Sequence, residues 1–356
     1  MAPGASDRRG RPWSIDLVVH GRDGAHPGSA FVRTLLRASW AQREGWASVR
    51  VHDAAGVAAA GCAAGADLLL VQRDALLDGD LAAGVLEGAR RQGVPVVLDV
   101  DDDLWTAPAR ARLGQEGYSP ERLAALDATT AAAERIVVST DVLAGRVPSA
   151  AASVHVVPNA LDPALWGLDG TGGPTLRGRD AGLLYMGSHT HAADLALLQR
   201  LRPRDRSSLD LLGVAGPASA GGFRVLEFAR RPVAYPALAS WLRREASRWR
   251  AGLAPLVDDH FDAAKSDLKF LEYSALGLAT VASDVPAYAA AGEHGALLVA
   301  GGAEAWGEAV AELHRHPGAL TERARAAREH VRRARTFSLD DGWLRAVTGD
   351  DALPVR

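Results

Sequence analysis

Short apolar runs alternate with longer amphipathic stretches along most of the chain. In the first half, the runs at 15–20, 48–52, 67–72, 94–100, 135–139 and 153–157 are β-rich and largely apolar. Runs of this length and character read as strands buried in a parallel sheet. Between them, 29–43, 80–92 and 120–133 carry helical patterning. Segment 167–179, GLDGTGGPTLRGR, is rich in glycine and breakers and has the composition of a linker. The alternation then restarts. Strands are predicted at 182–187, 209–213, 223–227, 252–257, 280–283 and 296–299, and helices at 192–201, 236–248, 266–276 and 303–315. Stretches 319–335 and 338–347 are strongly helical. This order predicts an α/β chain with two doubly wound domains of about six strands each. In such sheets ligands bind outside the carboxyl ends of the strands, so motifs at those ends carry the most weight.

Composition narrows the picture. At roughly 100–200 residues per domain, the 356 residues fit two domains. A formal net charge of -3 offers no basic field for nucleic acid. The single cysteine, Cys62, excludes an internal disulfide and a cysteine zinc cluster, which favours a reducing, cytoplasmic setting. The opening MAPGASDRRGRP is polar and is not followed by the apolar region of a secretory signal. No run of about 18 apolar residues is present, so no transmembrane segment is expected.

The richest segment is 255–288, PLVDDHFDAAKSDLKFLEYSALGLATVASDVPAY. An apolar strand ends at Val257, a polar loop follows, and Ser266 is a candidate N-cap. From there Lys265, Lys269, Glu272 and Leu276 fall on roughly one helical face, and Gly277 closes the helix. A helix N-terminus offers free N–H groups and a positive dipole end, and two lysines beside it suit a diphosphate. One turn further in, a carboxylate at Glu272 can accept bonds from two ribose hydroxyls, a familiar device in dinucleotide sites. The bland alternative is a solvated helix with a surface Lys–Glu pair. Against it stand the Lys-before-Glu order, the weaker one for helix stability, and the apolar neighbours Phe270, Leu271 and Leu276.

Two further strand ends carry chemistry. In 182–194, GLLYMGSHTHAAD, the turn at Gly187-Ser188 lets a ligand approach the backbone, and His189 and His191 either contact phosphate or sugar or cap the next helix. As a zinc pair, His-x-His lacks third and fourth ligands of the usual kind. In 94–105, VPVVLDVDDDLW, an apolar strand runs into Asp99, Asp101, Asp102 and Asp103. In extended chain Asp99, Asp101 and Asp103 share one face, and clustering carboxylates requires compensation. A magnesium or manganese site, a phosphatase motif of the haloacid dehalogenase type, the acceptor-facing edge of a cleft and a turn with solvated Asp caps all fit this pattern.

Taken in order, these segments resemble the retaining, glycosyltransferase-family-4-like group of GT-B glycosyltransferases. The specific likeness is to a bacterial subgroup with F-N-x-x-K-S-x-x-K-x-x-E-Y, met here by Phe261, Asp262, Lys265, Ser266, Lys269, Glu272 and Tyr273. That subgroup also carries G-S-x-T-H, here Gly187, Ser188, Thr190 and His191, and D-x-D-D in the first domain. Asp262 replaces the usual Asn, and Ala264 stands where the wider family has a sugar-contacting glutamate. Pro158-Asn159 resembles the family's V-x-P-N turn, and His20-Gly21 with Gly28-Ser29 resembles its first glycine-rich loop.

The resemblance implies two Rossmann-like domains facing across a cleft: 1–172 on the acceptor side, 173–336 on the donor side, and a helix in 337–356 returning to the first domain. It implies catalytic roles for Lys269, Lys265 and His191, and donor contacts from Glu272, Ser266, Gly187, Ser188, Thr190 and Leu268. Asp101, Asp102, Gly28 and His20 fall on the acceptor side, with His20 a candidate base if transfer inverts. The implied reaction moves a sugar, with retention, from a nucleoside diphosphate sugar (a UDP-sugar by expectation) to the hydroxyl of a small-molecule or glycan acceptor. No metal or other cofactor is required. The alternatives are a silent nucleotide-binding GT-B scaffold, which the alanine at 264 makes thinkable, a GT-B epimerase, and the Asp-dependent phosphatase.

Overall fold

A computed structural model describes residues 11–21, 26–148, 153–170, 182–187, 194–213, 223–226, 234–338 and 342–350. Two six-stranded sheets organise them, every pairing parallel. The first holds β1 (Trp13–Val18), β2 (Ala47–His52), β3 (Leu68–Gln72), β4 (Val96–Val100), β5 (Arg135–Val138) and β6 (Ser153–Val156), in the order β2-β1-β3-β4-β5-β6. The second holds β7 (Gly182–Met186), β8 (Leu209–Leu212), β9 (Arg224–Leu226), β10 (Trp249–Ala254), β11 (Ala279–Ser283) and β12 (Leu297–Val299), in the order β12-β11-β10-β7-β8-β9. The second order is that of the doubly wound dinucleotide fold, with its switch point between β7 and β10. The first switches between β1 and β3.

Central strands are apolar on both faces because both faces are covered. On the first sheet, Leu17, Leu68, Leu70 and Val97 enter one core, while Leu69, Val71, Leu98 and Val100 enter another. The second sheet repeats the device with Leu183, Leu211 and Leu253 on one side and Leu184, Met186 and Leu212 on the other. All twelve strands lie where the apolar runs predict them, with ends moved by up to three residues.

The helices differ more. The stretch predicted at 29–43 forms, but its Phe31–Leu35 portion is π-helical, between Gly28–Ala30 and Leu36–Arg43. Ala54–Ala60 is a helix that the pattern misses, since alanine and glycine give no apolar periodicity; Asp53 caps it by accepting from Gly56 N at 2.7 Å. Ala107–Gln115 is another. Of the helix predicted at 192–201, the described part is a 3-10 segment, Asp194–Leu198. The last helix is only Trp343–Thr348, started by Gly342 at a φ of 77°. Its Trp343, Leu344 and Val347 are buried in the same cluster as Ile15, Val97 and Val137 of the first sheet.

The chain passes between the sheets twice, and the two passages are paired. Leu161 N donates to Arg335 O at 2.9 Å and Phe337 N donates to Leu161 O at 3.0 Å. Leu161, Trp166 and Leu168 are buried with residues of the second sheet. Further contacts hold the two halves together. Arg112 lies over the Phe261 ring at 4.4 Å, and Thr140 Oγ1 donates to Ala264 O at 3.0 Å.

Candidate active site

A cleft of about 750 Å³ opens between the carboxyl ends of the two sheets. That is within the usual range for a small-molecule site, about 300–1,000 Å³. Its second-domain wall is built by the chain leaving β10. A 3-10 turn, Asp262–Ala264, is followed by extended residues and then the helix Leu268–Ala275. Tyr273 ties that helix to two strand ends: its hydroxyl accepts from Met186 N and donates to Leu253 O, both at 3.0 Å. The ring lies so close to β10 that a Cβ on Gly252 would come within 2.3 Å of it, so the contact requires glycine. Gly277, at a φ of 69°, closes the helix, and Leu278 N donates back to Tyr273 O at 2.9 Å.

Ser266 is not the N-cap. That position is Asp267, which makes no side-chain capping bond; its carboxylate is held by both ends of the Arg335 fork at 2.8 Å. Ser266 Oγ instead accepts from Asn159 Nδ2 of the other wall at 2.7 Å. Lys265 precedes the helix in extended backbone, so it does not share a helical face with Lys269 and Glu272. All three, with Ser266, Leu268 and Gly187, nevertheless line the cleft. Gly187 is fixed there by crowding, since a Cβ would lie 2.6 Å from the Tyr185 hydroxyl.

The second-domain wall holds ionisable groups out of water. Burial pulls the Lys269 ammonium down to about 8, with Lys265 adding repulsion. Its Nζ lies 5.6 Å from the centre of the Tyr185 ring. Burial pushes the Glu272 carboxyl up to about 7, opposed by a hydrogen bond from Tyr235 Oη to Glu272 Oε1 at 2.6 Å. Burying charge in this way is unfavourable unless something uses it, and such groups cluster at functional sites.

The opposite wall comes from the first domain and includes Gly28, Asp101 and Asp102. The strand ends at Val100, so Asp99, Asp101 and Asp103 do not share the face expected of extended chain, and the four aspartates part company. Asp99 is fully buried in a bidentate pair with Arg33, 3.0 and 2.9 Å. Asp103 accepts from Trp105 N and Thr106 N at 3.1 Å and pairs with Arg146 at 3.0 Å. Only Asp101 and Asp102 face the cleft, bonded to Arg73 Nη1 at 3.2 and 2.8 Å. Burial raises the Asp101 carboxyl to about 6 against the pull of Arg73. Among the described residues no group of His, Cys, Asp and Glu is arranged to hold a metal ion.

His20 lies outside the cleft lining; burial and Arg122 lower its pKa, and its carbonyl is 2.8 Å from His26 Nδ1. Ser188, Thr190 and His191 lie outside the described residues. Four cleft residues escape sequence reasoning. Arg73 follows β3 at a φ of 52°, and the strand-end rule points to it. Asn159 reads as a plain turn residue, yet it accepts from Arg33 at 3.0 Å and donates to Ser266. Tyr235 and Trp166 carry no local signal at all.

No family model matches the sequence, and no curated protein matches it. Solved structures do. Sucrose-phosphate synthase from Thermosynechococcus elongatus superposes with a TM-score of 0.65 at 15% identity, over 94% of this chain and 97% of that one. Anabaena HepE in complex with UDP-glucose gives 0.59 at 11%, over 91% and 95%. A putative UDP-N-acetylglucosamine 2-epimerase from Listeria monocytogenes gives 0.51 at 13%, over 90% and 94%. At such identities the likeness is one of architecture. The chain has the GT-B fold: two Rossmann-like domains face each other across this cleft, and the terminal helix returns to the first.

Proposed function

We propose that this chain is a glycosyltransferase that moves a sugar from a nucleoside diphosphate sugar to an acceptor hydroxyl. One observation carries the reading: two lysines and a buried carboxylate stand on one wall of a cleft between two nucleotide-binding-type sheets. Glu272 accepts from the ribose hydroxyls. Lys265, Lys269 and the free N–H groups at the start of the Leu268–Ala275 helix hold the diphosphate. Gly187 and Leu268 shape the donor pocket. The donor is a UDP-sugar in this proposal. That fits the structural neighbour HepE, solved with UDP and with UDP-glucose.

The reaction breaks the bond between the anomeric carbon and the phosphate oxygen and forms one to the acceptor oxygen, whose proton passes to the departing phosphate. Charge grows on the diphosphate as it leaves. Cations already fixed in a dry site stabilise that charge without reorganisation, often the largest single contribution to rate. Residues 1–172 then serve the acceptor and 173–336 the donor, with Asp101, Asp102 and Gly28 on the acceptor side. Transfer proceeds with retention, and no metal is assigned a step. A cytoplasmic location suits both the donor and the lone Cys62.

The phosphatase alternative requires Asp99 as nucleophile. That side chain is fully buried and both of its oxygens are bonded to Arg33, so it cannot meet a substrate. Measuring UDP release from UDP-sugars with purified protein tests the proposal. Lys269→Ala should lower kcat by about 100-fold or more while the fold persists. Wild-type turnover in that variant would remove the proposed role.

A further inference from the structure

Tyr235 touches both walls of the cleft and the buried carboxylate together. It opens the helix Tyr235–Glu245 of the second domain. Its hydroxyl donates to Glu272 Oε1 at 2.6 Å. Its ring stacks on Phe31 of the first domain, with centroids 6.3 Å apart and planes 20° from parallel. Trp166 flanks it at 6.2 Å and 58°. Added at Gly28, a Cβ would meet the same ring at 3.7 Å.

These contacts have two physical consequences. The first is aim. A glutamate side chain has three rotatable bonds, and a carboxylate that must accept two ribose hydroxyls works only in a narrow range of orientations. With Oε1 bonded to a rigid phenol, the carboxylate plane is set. The second is charge. A hydrogen bond donated to the ionised form favours that form, so Tyr235 offsets part of the burial that raises the Glu272 carboxyl to about 7. Both depend on where the ring sits, and part of its seat, Phe31 and Gly28, belongs to the other domain.

We infer that Tyr235 is the positioning residue for Glu272, and that it links the nucleoside-binding carboxylate to closure of the two domains. The inference rests on Glu272 being the ribose contact, as proposed above. With the domains apart, the ring loses Phe31 and is held only by Trp166 and the second-domain core, so the donor to the carboxylate is less firmly fixed. With the domains together, the site is covered and the carboxylate keeps its donor. Nucleoside binding and closure then favour each other, because each is stronger in the presence of the other.

The titratable groups facing Glu272 are Tyr235 from the neighbouring helix, Lys269 one turn back on its own helix, and Tyr273 beside it. Three groups titrate on the acid limb of a UDP-binding profile, Glu272, Asp101 across the cleft and the terminal phosphate of UDP, so the difference between wild type and Glu272→Gln isolates Glu272; Lys269 contributes to the alkaline limb.

The test is the affinity for UDP from pH 5.5 to 9, by calorimetric titration, for wild type, Tyr235→Phe, Phe31→Ala, Glu272→Gln and the double variant Tyr235→Phe/Glu272→Gln. Thermal unfolding checks that each is folded. Tyr235→Phe keeps the ring and should fold. It should move the acid-limb midpoint upward by about one pH unit or more and weaken binding roughly tenfold at pH 7. Phe31→Ala should move the midpoint the same way by a smaller amount. Glu272→Gln should remove the Glu272 share of the acid limb, and adding Tyr235→Phe to it should leave the remaining limb unmoved. An unmoved midpoint in Tyr235→Phe overturns the positioning role, and an unmoved midpoint in Phe31→Ala overturns the link to closure. Failure of wild type to bind UDP at any pH would instead count against the donor reading itself, which separates the two.

Discussion

Glu272, the proposed ribose contact, shows what burying a carboxyl costs the fold. Its carboxyl has an ordinary value of 4.5 and lies at about 7 in the folded chain, chiefly through burial. For an acid raised in this way the sign is unfavourable to stability. Below pH 4.5 both folded and unfolded states hold the proton and nothing is lost. As pH climbs from 4.5 to 7, the unfolded chain ionises first and stability falls; above 7 the loss is constant. At 1.36 kcal/mol per unit the loss is about 3 kcal/mol. Glu272→Gln should therefore be more stable than wild type by up to about 3 kcal/mol at pH 8, and the difference should fade toward pH 4.5. Denaturant unfolding at the two pH values reads this directly. Lys269, lowered to about 8 by burial, has the same character with opposite charge. Two destabilising residues side by side are hard to explain except as a site kept ready for a charged ligand. The residue types of that site are legible in the sequence because lysine and glutamate are rarely placed on an apolar helix without a reason. Their partners are not: Tyr235 lies 37 positions away and meets Glu272 only through the fold.

At the scale of elements, the hydrophobic pattern is a good guide to strands and a poorer one to helix ends. The central strands are found because a strand covered on both faces must be apolar throughout, which leaves an unmistakable run; the half-exposed edge strands β2, β6 and β9 are marked instead by their valines. The start of the Leu268–Ala275 helix is misplaced by the same local rules. Ser266 looks like a cap, but the tertiary bond from Asn159 takes its hydroxyl and leaves Asp267 at the cap position, clasped by Arg335. The acidic strand end misleads for a related reason. Four aspartates close in sequence suggest one site, yet arginines from three distant parts of the chain take them apart: Arg33, Arg73 and Arg146. Asp99 consequently belongs to the framework beneath the cleft. Breaking a buried pair leaves an uncompensated charge, so Asp99→Ala should destabilise by about 3–5 kcal/mol, measured by chemical denaturation. A folded Asp99→Ala protein of wild-type stability would show the pair to be dispensable.

For the whole molecule, the arrangement of two sheets around one cleft explains why the residues proposed for donor and acceptor lie far apart in sequence. The chain crosses between the sheets at Leu161 and again at Thr336, and those crossings are bridged to one another. Asn159 sits beside them, with Arg33 on one side and Ser266 on the other. The position that carries a glutamate in the resembling family is Ala264. Here it is fully buried among first-domain residues such as Leu104 and Leu143, so it serves contact between the domains and does not face the cleft. Sequence reasoning sees the substitution but cannot see that destination. The account stands or falls on whether the second-domain wall grips a nucleoside diphosphate. Calorimetric titration of UDP into wild-type protein, Lys269→Ala and Glu272→Ala near pH 7.5 tests this most directly. One saturable site is predicted in wild type, weakened by about tenfold or more in each folded variant; no binding in wild type, or equal affinity in all three, would contradict it.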